Sequence, residues 1–268
     1  MLSSEPNLKT LLAAIQESAK YRHISPDLIL RLGVGELSKR RNLKEAVKET
    51  KNTLHQVAGA YLDSVPPYAR WIAELERLKE GDDDSEKALL KMMTAHTSTR
   101  ERVPHLEYFF SRTLAEIGEV ASILDLACGL NPLALTKMPL KPGAEYFAYD
   151  LYGDMMSFLN SFFHRYYPSG KAEARDIVAN PPTQKAQLSL ILKFLPVLEQ
   201  TEKEKTLDWL KRLQTEYLLV SFPTKTLTGR TMRMAQNYES QFRETLSQPN
   251  WSYQRFLFDN ELCYLIKK

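Results

Sequence analysis

The sequence lacks what a disulfide framework, a zinc site or a membrane span would need. It has two cysteines in 268 residues, Cys128 and Cys263, and neither has the neighbours of a zinc ligand. The strongest apolar run, LSLILKFLPVL, is short and interrupted by Lys193, whereas a membrane-spanning helix needs about 20 apolar residues. The first ten residues, MLSSEPNLKT, lack the basic and apolar segments of a secretion signal. We therefore expect a reduced, cytoplasmic protein with no metal ion and no membrane partner.

The spacing of apolar residues divides the chain into two parts. Up to about residue 118, apolar positions recur at helical spacing and no stretch alternates as a strand does. The first sixty residues contain three such stripes and predict three short helices. We place an all-helical amino-terminal domain at residues 1–105 and an α/β domain at residues 106–268.

From residue 122 onward, short apolar runs alternate with helical or loop segments, which is typical of βα units around a parallel sheet. The five runs are SILDLA, YFAYDL, AEARDI, LSLILKF and YLLVSF. The chain closes with two further runs separated by Asp259 and Asn260, which is a hairpin signal. A parallel sheet that ends in an antiparallel hairpin predicts the Rossmann-like α/β fold of S-adenosylmethionine-dependent methyltransferases.

Glycine is scarce in the turn after the first predicted strand. A dinucleotide site there would carry G-x-G-x-x-G, so that a pyrophosphate can rest on a helix amino terminus. This turn instead has the sequence ACGLNP, and Pro132 lacks a backbone donor. S-adenosylmethionine has no phosphate, so a turn with the small residues Ala127 and Gly129 suits it better than a nicotinamide cofactor.

Acidic residues stand at the ends of successive predicted strands. Ligands of open α/β sheets bind outside the carboxyl ends of the strands. Asp150 is suited to accept both ribose hydroxyls there, and Asp176 with Ile177 is suited to the edge and face of an adenine ring. The simpler interpretation makes these acids, with Asp125, helix caps or turn residues. Their occurrence at three matching strand ends favours a ligand site.

The stretch HTSTRER, residues 96–102, predicts a helix start with Thr97 or Ser98 as its N-cap. A cofactor with an amino-acid end needs a cation for its carboxylate, and Arg102 or Arg100 offers a planar fork for it. The alternative is a solvated helix start in which His96 is an ordinary hydrogen-bonded histidine.

Four motifs occur in a fixed order: HTSTRER, LDLACGLNPLAL, LILKFLPVLE and VSFPTKTLTGR. With them the chain resembles, over nearly its whole length, the aminoglycoside-resistance 16S rRNA (guanine(1405)-N(7))-methyltransferases. The resemblance implies methyl transfer from S-adenosylmethionine to N7 of a decoding-site guanine in the assembled small ribosomal subunit. We expect the enzyme to be a monomer.

The same resemblance implies roles for individual residues. The methionine end of the cofactor would lie against His96, Thr97, Ser98 and Arg102. The loop, ribose and adenine contacts would come from Ala127, Gly129, Asp150, Asp176 and Ile177. Leu192 and Lys193 would lie beside the reacting centre, and Tyr61 would close over the cofactor.

The proposed nucleophile needs no general base, because guanine N7 has an in-plane lone pair and no proton. Catalysis would then come from alignment and from a pocket that admits positive charge on the base. The fourth predicted strand accordingly ends in LKFLPVL, without the D/N-P-P-Y motif that amino-group methyltransferases often have. Our hypothesis is that Lys193 holds a backbone carbonyl, a strand-end acid or an rRNA phosphate instead of acting as a base.

Two groups of basic residues are candidates for rRNA binding. The first is Lys39, Arg40, Arg41, Lys44 and Lys48. We expect these to bind phosphates, and the alternative is a solvated helix face that Glu45 and Glu49 partly neutralise. The second group follows the fifth predicted strand and comprises Lys225, Arg230, Met232, Arg233 and Tyr238. We expect it to grip rRNA beside a flipped guanine, and the alternative is a plain crossover helix.

Three further functions are compatible with these patterns. One is a small-molecule methyltransferase whose basic amino-terminal part serves as a lid. Another is a non-catalytic RNA-binding module, which would have no affinity for S-adenosylmethionine. The nearest is transfer to an adenine N1 in the same rRNA region.

Overall fold

The computed structural model describes residues 5–59, 65–79, 81–202, 206–224, 233–247 and 250–268. Helices make up most of the described chain up to residue 113. They are α1 (Glu5–Gln16), α2 (Pro26–Lys39), α3 (Leu43–Leu54), α4 (Tyr68–Arg77), α5 (Asp83–Met93), α6 (Thr97–Arg100) and α7 (Leu106–Thr113). The three helices expected in the first sixty residues are therefore confirmed.

A sheet of seven strands follows, with helices between the strands. The strands are β1 (Val120–Leu126), β2 (Leu140–Asp150), β3 (Gly170–Ala174), β4 (Ala186–Leu192), β5 (Thr215–Pro223), β6 (Ser252–Leu257) and β7 (Glu261–Lys267). The helices among them are α8 (Gly153–Tyr166), α9 (Leu195–Glu202), α10 (Thr206–Arg212) and α11 (Arg233–Ser247).

The strand order is β3-β2-β1-β4-β5-β7-β6. β1 to β5 pair in parallel, and β7 runs antiparallel between β5 and β6. The central strands are buried almost along their whole length, as expected of a sheet covered on both faces. The predicted fold class, including the closing hairpin, is confirmed.

Local sequence explains where the helices nearest the site begin. α2 has Pro26 at its first position, where the missing amide hydrogen costs nothing. α3 begins after Asn42, whose side chain accepts a hydrogen bond from the Glu45 amide at 2.9 Å. Only residues 40–42, two arginines and an asparagine, separate the two helices.

Two local predictions were wrong. α6 has His96, and not Thr97 or Ser98, at its N-cap position, because the Ser98 hydroxyl is hydrogen-bonded to the His96 ring instead of capping an amide. β3 ends at Ala174, two residues before Asp176. The Asp176 carboxylate thus lies in the turn that follows the strand, where Oδ1 accepts the Val178 amide at 3.2 Å.

The helical part packs directly on the α/β part. The Ser25 amide donates to the Leu151 carbonyl at 2.8 Å, and the Gly153 amide donates to the His23 carbonyl at 2.7 Å. Tyr68 of α4 stacks on Phe158 of α8 with ring centroids 5.5 Å apart. One hydrophobic cluster runs through both parts, and a second lies within the α/β part. Each fully buried aliphatic or aromatic side chain contributes about 1.5–3 kcal/mol.

Within the described ranges, none of the helices combines the length and the apolar character that crossing a membrane would require.

Candidate functional site

A crevice opens at the carboxyl ends of β1, β2 and β4. The volume of the crevice is about 860 Å³ when the open space at its mouth is included. Eight residues singled out from the sequence line it: His96, Ser98, Ala127, Asp150, Asp176, Ile177, Leu192 and Lys193. Thr97, Gly129 and Arg102 are adjacent to these residues in sequence or space but do not line the crevice.

The loop after β1 brings its backbone to the crevice in a conformation that few residues adopt. Ala127 has φ +55° and Gly129 has φ +52°, the left-handed region that non-glycine residues occupy at a cost. The Gly129 amide donates to Asp150 Oδ2 at 2.9 Å. The loop and the end of β2 are therefore held together by a backbone amide of a residue without a side chain.

Asp150 stands half-buried at the end of β2 with its carboxylate fixed in one orientation. Oδ2 accepts the Gly129 amide and Oδ1 accepts the Leu151 amide at 2.6 Å. Burial raises its pKa, and the backbone amides oppose that rise. Each carboxylate oxygen keeps a further lone pair, so the group can accept two neighbouring hydroxyls.

His96 lies at the inner wall of the crevice as a neutral imidazole. Burial, then the positive charges of Arg100, Arg102 and Lys193, lower its pKa to about 4. Its Nδ1 is hydrogen-bonded to the Ser98 hydroxyl at 2.8 Å. The ring therefore offers shape and a hydrogen bond to the crevice without adding charge at neutral pH.

Arg102 does not line the crevice, and its contact with the methionine end stays a prediction. It is 2% exposed, and its guanidinium donates to both carboxylate oxygens of Glu261, at 2.7 and 3.2 Å. It also lies over the Phe109 ring at 4.9 Å. A buried guanidinium needs a counter-charge, and Glu261 supplies it. Arg100, the second candidate, is exposed and donates to the Thr97 hydroxyl at 3.3 Å.

Lys193 closes the floor of the crevice from the end of β4. Its backbone has φ +60°, and its amide donates to the Ser221 hydroxyl at 3.0 Å. The ammonium donates to Glu101 and lies 3.8 Å from Glu261 Oε2. We hypothesised a backbone carbonyl, a strand-end acid or an rRNA phosphate as the partner of Lys193. The structure shows two acids: Glu101, just after α6, and Glu261, the first residue of β7.

Glu261, Glu101 and Arg31 were missed from the sequence. Glu261 is the first residue of β7, and because β7 runs antiparallel to β5, that residue pairs with Pro223 at the carboxyl edge of the sheet. The hairpin signal alone could have placed it there. Glu101 and Arg31 carried no comparable signal, since both belong to helical segments whose packing on the sheet is not visible in a local pattern.

Apolar side chains line the crevice beside Asp176. Ile177 is buried there, and its carbonyl accepts a hydrogen bond from the Trp209 indole nitrogen at 2.9 Å. Leu192, the last residue of β4, also lines the crevice. Helix α2 contributes Leu28 and Leu32 to its wall. The amino-terminal helices thus contribute directly to the crevice, which the sequence did not indicate.

The first basic group extends from the end of α2, through the turn after it, into the first two turns of α3. All of its side chains are exposed: Lys39, Arg40, Arg41, Lys44 and Lys48. We refer to residues 39–48 as the basic turn. Arg40 Nε donates to Glu36 at 2.7 Å. Glu36 therefore neutralises part of the basic turn by a direct ion pair, and the negative charges of Glu49 and Glu45 also act on Arg40, as expected.

Some predicted residues cannot be placed. Tyr61, Lys225, Arg230 and Met232 lie outside the described residues. Arg233 and Tyr238 belong to α11, and their side chains lie outside the described part of the structure. Within the described part, no group of three or more metal-binding side chains could hold an ion.

Comparison with known proteins identifies the family. The family described as Ribosomal RNA methyltransferase (FmrO) matches residues 17–265. The chain belongs to this family. The resemblance inferred from its motifs is thereby confirmed, and the crevice at the strand ends is that of a methyltransferase sheet.

Relatives of this family member match it over nearly its full length. The 16S rRNA (guanine(1405)-N(7))-methyltransferase of Micromonospora echinospora is 33% identical over 259 residues, which are 95% of this chain and 94% of the relative. The enzyme of the same name from Serratia marcescens is 30% identical over 262 residues, 98% of this chain and 99% of the relative.

Solved structures of rRNA methyltransferases have the same fold as this family member. The 16S rRNA methyltransferase RmtF, in complex with S-adenosyl-L-homocysteine, superimposes with a TM-score of 0.83 at 28% identity, and 99% of each chain is covered. The 16S rRNA methylase RmtB gives a TM-score of 0.80 at 27% identity, with 97% of this chain and 98% of that chain covered. The match includes the amino-terminal helices as well as the sheet.

Proposed function

We propose that this family member transfers a methyl group from S-adenosylmethionine to N7 of guanine 1405 in the decoding site of 16S rRNA. The observation that carries the proposal is the crevice itself. It contains the oriented carboxylate of Asp150 at the end of β2 and apolar side chains near it. After β4, where a general base would be expected, it contains Lys193, whose ammonium is bound by an acid. Full-length relatives with that activity in their names support the choice of substrate.

The described residues fit S-adenosylmethionine. Asp150 would accept the ribose hydroxyls, Ile177 would contact the adenine face, and Asp176 would accept from the adenine edge. Leu192 would lie beside the reacting centre. The methionine end lies against His96 and Ser98, with Thr97, Ala127 and Gly129 shaping the wall behind it. The carboxylate of the methionine end would be bound by Arg102, whose guanidinium also pairs with Glu261.

The bound cofactor supplies an electrophilic methyl group on a sulfonium. The protein's part is to align guanine N7 with it and to exclude water. His96 is neutral at physiological pH, so it adds no charge against a base that becomes cationic. The charge of Lys193 is balanced by Glu101, and that of Arg102 by Glu261. The pocket floor thus carries no net positive charge toward the base.

The rRNA contacts would be divided between the two parts of the chain. Residues 1–105 serve as the rRNA-binding domain through the basic turn, and residues 106–268 serve as the methyltransferase domain. Phosphate contacts of this kind set the position of the protein without determining sequence. We further propose that the enzyme acts in the cytoplasm, as a monomer, on the assembled small subunit.

We include resistance to aminoglycosides in the proposed function, because methylation at this position would explain it. Methylation of N7 adds a fixed positive charge and a methyl group to the decoding site. Both would weaken the binding of cationic aminoglycosides, by repulsion and by steric conflict.

Isothermal titration and a methylation assay test the proposal together. The purified chain should bind S-adenosylhomocysteine, and the variant D150A should lose that binding, while labelled methyl groups should enter isolated small subunits. Mass mapping of the 16S rRNA should locate the label at guanine 1405.

Each rival function predicts a different result in these assays. Absence of cofactor binding by the folded wild-type chain would favour a non-catalytic RNA-binding module. Label at an adenine N1 of the same rRNA would indicate an adenine methyltransferase. Label in a metabolite extract but not in small subunits would indicate a small-molecule methyltransferase.

A further inference from the structure

Helix α2 extends an arginine from the amino-terminal helices to the adenine end of the crevice. Arg31 Nε donates to Asp176 Oδ2 at 2.7 Å, and Arg31 Nη2 donates to Asp176 Oδ1 at 3.3 Å. The two residues are 145 positions apart in the chain. The contact therefore joins the helical part to the sheet at the cofactor site itself.

The two side chains differ in their surroundings. The Asp176 side chain is 2% exposed, whereas that of Arg31 is 31% exposed. Asp176 Oδ1 also accepts the amides of Val178 and Ala179, at 3.2 and 3.4 Å. Arg31 and the backbone together hold the carboxylate in one orientation.

A fixed carboxylate beside an apolar slot can distinguish ring substituents. An exocyclic amino group donates to a carboxylate oxygen, whereas a carbonyl oxygen at the same place would meet it with repulsion. A site built to make such a hydrogen bond rejects analogues that lack the donor far more strongly than an apolar slot does, because its buried polar group is then left unpaired.

We propose that Arg31 is a positioning residue for nucleobase specificity: it orients Asp176 so that the carboxylate accepts the exocyclic amino group of adenine. This inference rests on the proposed function, because it requires a cofactor with an adenine ring in the crevice. It makes the helical domain part of the cofactor site, in addition to any role in rRNA binding.

A purely structural role for the pair makes a different prediction. If Arg31 only fastened α2 to the sheet, its loss would weaken every ligand of the crevice to the same extent. If Arg31 positions Asp176, its loss weakens the adenine ligand selectively. The ratio of two dissociation constants therefore separates the roles.

The test compares S-adenosylhomocysteine with S-inosylhomocysteine, which has a carbonyl in place of the amino group, by isothermal titration at neutral pH. The wild-type chain should prefer the adenine compound at least about tenfold. R31M should reduce that preference severalfold, and R31K, which keeps the charge but not the planar fork, should lie between. R22M replaces an exposed arginine of the same helical part and should leave the ratio unchanged.

D176N and the double variant R31M/D176N complete the experiment. Because both act through one carboxylate, the double variant should discriminate no less than D176N alone. Thermal unfolding of each variant confirms that it is folded. Equal loss of both ligands in R31M, or an unchanged ratio, would overturn the role of Arg31 while leaving the proposed function intact; failure of the wild-type chain to bind either compound would overturn the proposed function as well.

Discussion

Gly129 lies directly against the ring of His96. A Cβ atom added to Gly129 would be 3.0 Å from both Cε1 and Nδ1 of the imidazole, closer than nearly all real contacts of such an atom. The backbone of Gly129 is also left-handed, with φ +52°. Only glycine satisfies both conditions, so the one glycine of the cofactor loop is required by a histidine 33 positions earlier in the sequence.

The variant G129A should therefore be destabilised twice over. A left-handed alanine costs about 1–2 kcal/mol, and displacement of the His96 ring adds about 1–3 kcal/mol. G143A is the matched control, since Gly143 has φ +72° but open space where the Cβ would lie. Urea unfolding should show the larger loss for G129A, together with weaker binding of S-adenosylhomocysteine. Equal losses in the two variants would mean that the imidazole moves aside freely.

Asp125 should make the stability of the protein depend on pH. It is buried, and burial raises its pKa from 3.8 to about 6, although Tyr146 and Asn131 donate to the carboxylate and oppose the rise. The folded chain thus binds the proton more tightly than the unfolded chain, so this contribution to stability is complete below pH 3.8 and is lost as pH rises through 6.

The variant D125N removes that dependence and keeps an acceptor for both donors. Relative to D125N, the wild-type free energy of unfolding should fall by about 3 kcal/mol between about pH 4 and pH 7. Urea titrations at several pH values measure the difference. A difference that stays constant with pH would show that the carboxyl group is ionised in the folded protein throughout this interval.

The Lys193 ammonium should act by neutralising acids. K193M leaves Glu101, whose side chain is 38% exposed, without that cation, while Glu261 keeps Arg102. We therefore expect a loss of stability of about 1–3 kcal/mol and a lower rate of methylation. The double variant K193M/E101Q should recover about 1–2 kcal/mol of that loss, and part of the rate. A general base could not be replaced by removing an acid, so a double variant as inactive as K193M would contradict the neutralising role.

The basic turn should make rRNA binding sensitive to salt. Replacing Lys39, Arg41, Lys44 and Lys48 by glutamine should reduce the slope of log affinity against log salt by up to about 0.7–0.9 for each phosphate that is no longer neutralised. Arg40 and Arg41 form a matched pair, because Arg40 is bonded to Glu36, whereas the described residues give Arg41 no ion pair. Filter binding to small subunits should show a larger effect for R41Q than for R40Q. Unchanged slopes would make the basic turn a solvated face.

Parts of the site that follow a strand directly were predictable from the sequence. Asp150, Ala127 and Lys193 each lie within two residues of a strand end, and parallel strands bring such positions to one edge of the sheet. His96 was recognised through its motif. Arg102 belongs to the same motif, but the motif does not show that Glu261 is close enough to pair with it.

The sequence by itself determined the order of helices and strands, the methyltransferase fold and the acid at the end of β2, because these depend on the local period of apolar residues and on short motifs. The tertiary structure alone decided which charges meet. Arg31 reaches Asp176 across 145 positions and Arg102 reaches Glu261 across 159, and such pairs depend on how α2, α6 and the antiparallel β7 pack. Local patterns carry no information about that packing, because the residues next to an arginine in the sequence do not show which distant acid will pair with it.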